Sequence, residues 1–490
     1  MLVLGAVPLL YPAVPPLVDL LGHMGRYRVE LDLAHSPELQ RYWDFHWAPM
    51  GNLGVDLLIV PMGRLFGLEY GVKLIVIAIP VMTVAGLVWV ACEVHGLLPP
   101  TTAFALPFAF NQAFLYGFVN FARAMALGLL AFGLWLRLAR AERFLLRAIL
   151  FAPIGLLLFV THVAGWGAFG LLAFAAELVR QQDRGSSWLS AAIVSVRHCA
   201  VLALPLLPLL AWRQTTPGGD TTGWFDMVGK MSWIIFALRD RWQLFDMASV
   251  TVVLVLIVEA RRRDEFGFAR TLVVAAGALG LAFLLLPLML FGSTFADMRL
   301  APYLLALGVL AIRWRGAIES RRSHTVAAIA LAFLLTRIAG HTTSLAIAAN
   351  DQAAKLVALD HVPLGARVVS IVGEECDSNW ALPRNDHLGA MVIVRRLGFS
   401  NDQWDVPGAN LMSRKVSEAG HFDADPSQIT HPAPCATATL WTIDRALGAI
   451  PAGEFDYLWL IDTPAFTAKL PSGAIRVWRG PESSLYRLAR

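Results

Sequence analysis

Asp19, His23 and Arg26 recur at spacings of four and three in Leu17-Val-Asp-Leu-Leu-Gly-His-Met-Gly-Arg26, which sets them on one face of a helix. A carboxylate held by a histidine and an arginine suits a general base, and desolvation at a membrane edge raises its proton affinity. The ordinary alternative is a helix-end aspartate in an interfacial ion pair. Other polar groups fall at corresponding ends of apolar runs: Asn120, His162, Asp297 with Arg299, and Lys230 with Arg239 and Arg241. Arginines and lysines gathered at a membrane edge bind a phosphate or pyrophosphate headgroup. Taken singly, each is more simply a structural ion pair, and His162 a packed, hydrogen-bonded histidine.

The elements that must position these residues are set by composition. Of 490 residues, 57% are hydrophobic and 16% charged, against about 25% charged in a soluble protein; the mean hydropathy is +0.59. A water-soluble core cannot hide that much apolar surface. The apolar excess is concentrated before residue 346. It predicts a polytopic α-helical membrane domain over 1–346 and a water-facing α/β domain over 350–490. A spanning helix takes roughly 20 apolar residues, and the windows 2–17, 70–91, 100–116, 119–136, 148–162, 165–179, 188–211, 247–260, 270–291, 299–313 and 324–345 give about eleven spans.

Arginines orient the bundle. Arg137, Arg140, Arg143 and Arg147, then Arg180 and Arg184, then Arg261 to Arg263, then Arg313, Arg315, Arg321 and Arg322 all follow even-numbered windows. Basic short loops mark the cytoplasmic side. The N-terminus is therefore expected in the cytoplasm. The 17–69 segment, the 212–246 loop and the C-terminal domain are expected outside. Within 17–69, the aromatics and charges of Glu38–Trp47 read as headgroup-level, and Asn52–Phe66 as a surface helix.

In 350–490, Arg367–Val372 and Tyr457–Ile461 read as buried strands, His387–Leu397 as a helix, and Ala474–Trp478 with Ser484–Leu488 as a hairpin around Gly480-Pro481. Glu374, Glu375 and Asp377 form an acidic cluster that a solvated loop explains. Cys376 and Cys435 are either a bridge, permitted in an oxidising compartment, or two buried thiols. The charge balance, 40 basic against 36 acidic residues, makes no case for nucleic acid. There is no P-loop, dinucleotide fingerprint, HExxH or GxSxG signature.

The sequence resembles the GT-C superfamily of polytopic glycosyltransferases, in particular a bacterial group with mostly unassigned substrates. The matching residues are Pro16-Leu-Val-Asp19-Leu-Leu-Gly-His23-Met-Gly-Arg26, Trp47-Ala-Pro-Met-Gly-Asn52-Leu-Gly-Val-Asp56, Phe114-Leu-Tyr-Gly-Phe-Val-Asn120, Thr161-His162 and Ala296-Asp297-Met-Arg299-Leu. In the C-terminal part they are His387-Leu-Gly-Ala-Met-Val-Ile-Val and Phe455-Asp-Tyr-Leu-Trp-Leu. The resemblance implies an inner-membrane enzyme whose C-terminal domain is periplasmic. It would transfer a sugar from a polyprenyl-phosphate donor to a lipid, glycan or protein acceptor. Asp19 would be the catalytic base of an inverting attack. His23, Arg26, Arg299 and Lys230 would bind the donor phosphate, with Asn52, Asp56, Asn120, His162 and Asp297 in support. Many members carry paired acids in the first outside loop. Here His23 follows Asp19, and Glu30-Leu-Asp32 comes later. No obligatory metal is expected, with a divalent ion left open. The rival readings are a flippase for lipid-linked saccharide, which needs a polar path through the spans, and a non-catalytic membrane assembly protein of the same fold.

Overall fold

The computed structural model describes residues 1–215, 219–376, 380–406, 410–415, 419–435 and 440–489. Its residues fall into two compact units. The first holds Met1–Leu10, Pro49–Val55 and Ile75–Thr343; the second holds Tyr11–Ala48, Asp56–Leu74 and Ser344–Arg490. A single cut near residue 346 was expected. Instead, most of the 17–69 segment belongs to the unit that contains the C-terminal residues.

Inside a bilayer every backbone polar group must be satisfied within its own segment, which favours long helices. Six described helices are long and apolar enough to cross: Leu68–His95, Val119–Arg140, Phe144–Thr161, Val163–Asp183, Gln243–Arg262 and Arg321–His361. Shorter apolar helices cover Trp188–Ala203, Met227–Leu238, Arg270–Leu285 and Met298–Leu310. The window 188–211 is split at Leu204-Pro205 into Trp188–Cys199, Ala200–Ala203 and Leu206–Thr215, and two other windows are reduced to short pieces. The first consists of the turns Val3–Gly5 and Val7–Leu10, because Pro8, Pro12, Pro15 and Pro16 interrupt the backbone ladder. The window 100–116 becomes Thr102–Phe104, Leu106–Phe110 and Gln112–Leu115, with Pro99, Pro100 and Pro107 as the breakers.

In the first unit, large apolar side chains such as Leu145, Leu207 and Leu244 stand on the outer faces of helices, Leu244 85% exposed. Such surface is covered by lipid in a multi-pass membrane protein. The interior is packed: the rings of Phe151 and Phe169 stack 5.5 Å apart, and Trp135 meets Phe151 edge-on at 4.9 Å. Two buried ionic groups link helices. Arg147 pairs with Glu177 and lies 3.9 Å over the Trp135 ring. Arg337 pairs with Asp246 at 2.7 Å, and His341 meets Asp240 at 2.8 Å.

The second unit is built on a mixed sheet ordered Phe399–Ser400, Arg367–Gly373, Tyr457–Ile461, Ser483–Arg487, Ile475–Gly480, with Ile429–Thr430 also paired to Arg367–Gly373. Arg367–Gly373 pairs in parallel with Tyr457–Ile461, and the last two strands form an antiparallel hairpin. The expected helix is a short turn, Leu388–Ala390, followed by Met391–Arg396. The early segment completes the core. Trp43 stacks on Phe399 at 5.5 Å, and Trp43–Phe45 pairs with Met412–Arg414. Tyr42 donates its hydroxyl to the Gly365 carbonyl at 2.7 Å. Tyr42 and Trp43 are buried, so the headgroup placement expected for Glu38–Trp47 does not hold for them.

Candidate active site

Asp19 is the N-cap residue of the helix Leu20–Asp32, yet its side chain makes no capping bond. Its Oδ1 lies 4.0 Å from His387 Nε2. Asp425 Oδ1 lies 3.9 Å from the same nitrogen. The other ring nitrogen, Nδ1, is 3.1 Å from the Asp402 carbonyl oxygen. A carbonyl only accepts, so Nδ1 carries a proton and Nε2 is the titrating atom. Burial alone would depress this histidine, but Asp425, Asp19 and Asp402 prevail and raise its pKa.

The helix face that carries Asp19 also carries Gly22 and Gly25, and these glycines admit the 402–406 segment of the same unit. A Cβ at Gly22 would stand 2.6 Å from Trp404 Cη2, and one at Gly25 would stand 2.7 Å from Gln403 Nε2. Trp404 thus lies against both His387, at 4.4 Å, and His23, at 5.0 Å. Upstream, Arg384 donates to the Pro16 carbonyl, which fixes the approach to Asp19.

More carboxyl groups crowd this place. Asp386 is pushed well above the usual carboxylate range by burial and by Glu374, which also shares a hydrogen bond with it; Asp19 and Asp425 add to the effect. Asp402 is raised to about 6 by burial, with His387 and a hydrogen bond from Ser400 opposing. Gln428 donates to Asp425 Oδ1 at 2.8 Å. Glu374 is therefore part of a half-buried acidic group rather than only of a solvated loop; Asp377 lies outside the described residues.

Further along the same helix, Arg26 forms a buried ion pair with Asp56 at 2.9 Å. Burial and the Asp56 charge raise the Glu30 carboxyl to about 9, against the pull of Arg26. Glu30 is thus neutral at pH 7, and both its oxygens lack a hydrogen-bond partner among the described residues.

The remaining expected residues lie in the first unit. Asn120 clamps the 52–55 turn, accepting from Val55 N at 2.5 Å and donating to the Asn52 carbonyl at 3.0 Å. His162 caps the helix Val163–Asp183, its Nδ1 accepting from Ala164 N. Arg299 donates to Ser293 Oγ and the Thr294 carbonyl, each at 3.0 Å, and stands 3.5 Å from His162 Nε2. Its guanidinium lies 4.2 Å over the Phe118 ring. Lys230 donates to Phe283 O, Leu286 O and Asp297 Oδ2 at 2.7 to 2.9 Å. An ammonium has three N–H donors, so these contacts use all of them.

Cys376 and Cys435 form a disulfide, with Cα atoms 5.3 Å apart. His431 presents a ring nitrogen within 4.8 Å of both sulfurs, but bridged cysteines have no thiolate to offer a metal.

His387, Asp425, Asp386 and Trp404 went unassigned as site residues at the level of sequence. The one available signal was the run starting at His387, which matched the family pattern and was read only as a helix.

No protein-family model and no curated protein matches this sequence. The fold is nevertheless similar to that of a solved protein. It aligns with the crystal structure of ArnT from Cupriavidus metallidurans bound to undecaprenyl phosphate, with a TM-score of 0.51 over 99% of this chain and 96% of that one. Identity is 12%, so the likeness is one of fold alone.

Proposed function

We propose that this protein is a GT-C-type membrane glycosyltransferase that moves a sugar from a polyprenyl-phosphate donor to an acceptor hydroxyl, with Asp19 as the base. The observation that carries this reading is the fold likeness, over nearly the full chain, to a protein whose crystal structure holds undecaprenyl phosphate. The acceptor oxygen attacks the anomeric carbon, the bond from that carbon to the phosphate oxygen breaks, and the configuration inverts. Asp19 takes the hydroxyl proton, and polyprenyl phosphate leaves with the bonding electron pair.

The family resemblance gives Arg299 the leaving phosphate. Lys230, with its donors committed, is assigned to holding the Asp297 segment, and Arg26, paired with Asp56, to holding its helix. Asn52, Asn120 and His162 are assigned the same supporting work. The arginine distribution supports an inner-membrane protein with a cytoplasmic N-terminus and a periplasmic C-terminal domain. No obligatory metal is proposed, so transfer should survive a chelator.

The test is a transfer assay with purified protein and a panel of polyprenyl-phosphate sugars, comparing wild type with Asp19→Asn. Transfer by wild type and a loss of at least about a hundredfold in the variant are expected. Equal transfer by both removes Asp19 as the base. No transfer with any donor or acceptor class removes the glycosyltransferase reading.

A further inference from the structure

His387 is 5% exposed and is held from three sides. Nδ1–H is anchored on the Asp402 carbonyl at 3.1 Å. Trp404 covers the ring at 4.4 Å. Nε2 faces two carboxylates at nearly equal distance, Asp19 at 4.0 Å and Asp425 at 3.9 Å. A ring fixed through one nitrogen directs the other with little freedom, which is how a histidine aligns a partner group.

We propose that His387 is a positioning residue for Asp19, orienting the carboxylate through Nε2 while Asp425 shares the same nitrogen and balances its charge. The inference rests on the reading of Asp19 as the base. It adds a residue from the far end of the sequence to the catalytic arrangement, and it assigns the acidic surroundings a purpose. A proton on Nε2 gives a cation between two anions, and attraction across a buried site is strong. Loss of that proton leaves Asp19 beside Asp425 with no charge between them.

The titratable groups facing His387 are Asp19 from the helix start, His23 across Trp404, Asp402 from the 402–406 segment and Asp425. On its own segment stand Asp386, backed by Glu374, and Arg384. Carboxylates dominate this set, in keeping with the raised pKa of the imidazole. The charged ring is therefore retained to a higher pH than that of a free histidine, and activity should decline as the ring loses its proton.

Two measurements on the full-length protein in detergent test this. In the first, deuterium exchange at the His387 ring carbon, followed by mass spectrometry across pH, reports the imidazole pKa without any need for turnover. Wild type should titrate above the ordinary value of 6.5, and both Asp19→Asn and Asp425→Asn should lower it. An ordinary wild-type pKa that neither variant moves overturns the proposal, whether or not the protein transfers sugar.

In the second, transfer is followed against pH for wild type, His387→Gln and His387→Lys. His387→Gln should lower kcat on the order of tenfold, as misplacement of a catalytic group does. KM for the lipid donor should stay within about twofold, because the substrate contacts are kept. The alkaline decline should be absent in His387→Gln, and His387→Lys should recover part of kcat. A His387→Gln enzyme with wild-type kcat and pH profile overturns the positioning role while leaving the glycosyltransferase reading standing. Absence of transfer in wild type overturns that reading instead, and the exchange measurement still decides whether His387 is coupled to Asp19. If His387→Gln does not yield folded protein, the Asp425→Asn pH profile serves in its place: the alkaline decline should move to lower pH, and an unmoved decline counts against the proposal.

Discussion

The indole of Trp404 occupies the space that a side chain at residue 22 would need: a Cβ on Gly22 would fall 2.6 Å from Trp404 Cη2 and 2.7 Å from Cζ3. Glycine is thus required at this position by a close approach, at some cost to helix propensity. The contact sets the helix that begins at Asp19 against the segment that carries Asp402. Gly22→Leu should lower stability by about 1–3 kcal/mol, as overpacking does, read as a fall in melting temperature in detergent. Combining it with Trp404→Ala should recover part of the loss. Additive losses would show that the two residues do not compete for one space.

Glu30 predicts a pH dependence of stability. Its carboxyl is raised from the ordinary 4.5 to about 9 in the folded protein, by burial first and by Asp56 second, with Arg26 opposing. The folded state therefore binds the proton more tightly than the unfolded state. The associated stability is fully present below about pH 4.5 and is lost as pH rises toward 9. Glu30→Gln removes this term. Melting temperatures across pH should show the variant equal to wild type near pH 4.5 and more stable near pH 8; parallel curves would contradict the assignment.

The Cys376–Cys435 bridge closes a loop with a sequence separation of 59 residues. Restricting such a loop in the unfolded chain stabilises by roughly 2–4 kcal/mol. Cys376→Ser, or reduction of wild type, should lower the unfolding temperature. Non-reducing peptide mapping should recover the two cysteines linked. Recovery as free thiols would place the bridge in doubt, and an unchanged unfolding temperature after verified reduction would show that it carries little stability.

Arg337 and Asp246 form an ion pair at 2.7 Å in which each side chain is 1% exposed, and Arg337 also donates to the Leu238 carbonyl at 2.8 Å. Removing one partner of a buried pair leaves an uncompensated charge and costs about 3–5 kcal/mol. Asp246→Asn should therefore be severely destabilised. Arg337→Met combined with Asp246→Leu should be much closer to wild type. Two variants of equal stability would argue against the buried-charge explanation.

Much of the architecture is local in origin and so was legible in the chain. The strands Arg367–Gly373 and Tyr457–Ile461 stand where short β-branched and apolar runs are bounded by turn residues. The terminal hairpin stands around Gly480-Pro481. Asp19, His23 and Arg26 share a helix face because helical geometry makes neighbours of residues three and four apart. The broken segments at 2–17 and 100–116 carry their prolines in plain view, and Pro8, Pro12, Pro15 and Pro16 predict a kink or an early end for the first.

What stands opposite those residues was decided by the tertiary structure. Spacing placed Arg26 near Asp19 but could not show that Asp56 takes its charge. A lysine in an aromatic loop gave no sign that two carbonyls and Asp297 would use every donor it has. Trp43 carries the same residue type as an interfacial anchor, and only packing on Phe399 separates the two. His387 and Asp425 meet Asp19 from the other end of the chain. Periodicity records which side chains of one element share a face. It holds no information on which distant segment will cover that face, because that pairing is set by shape and charge complementarity once the chain has folded.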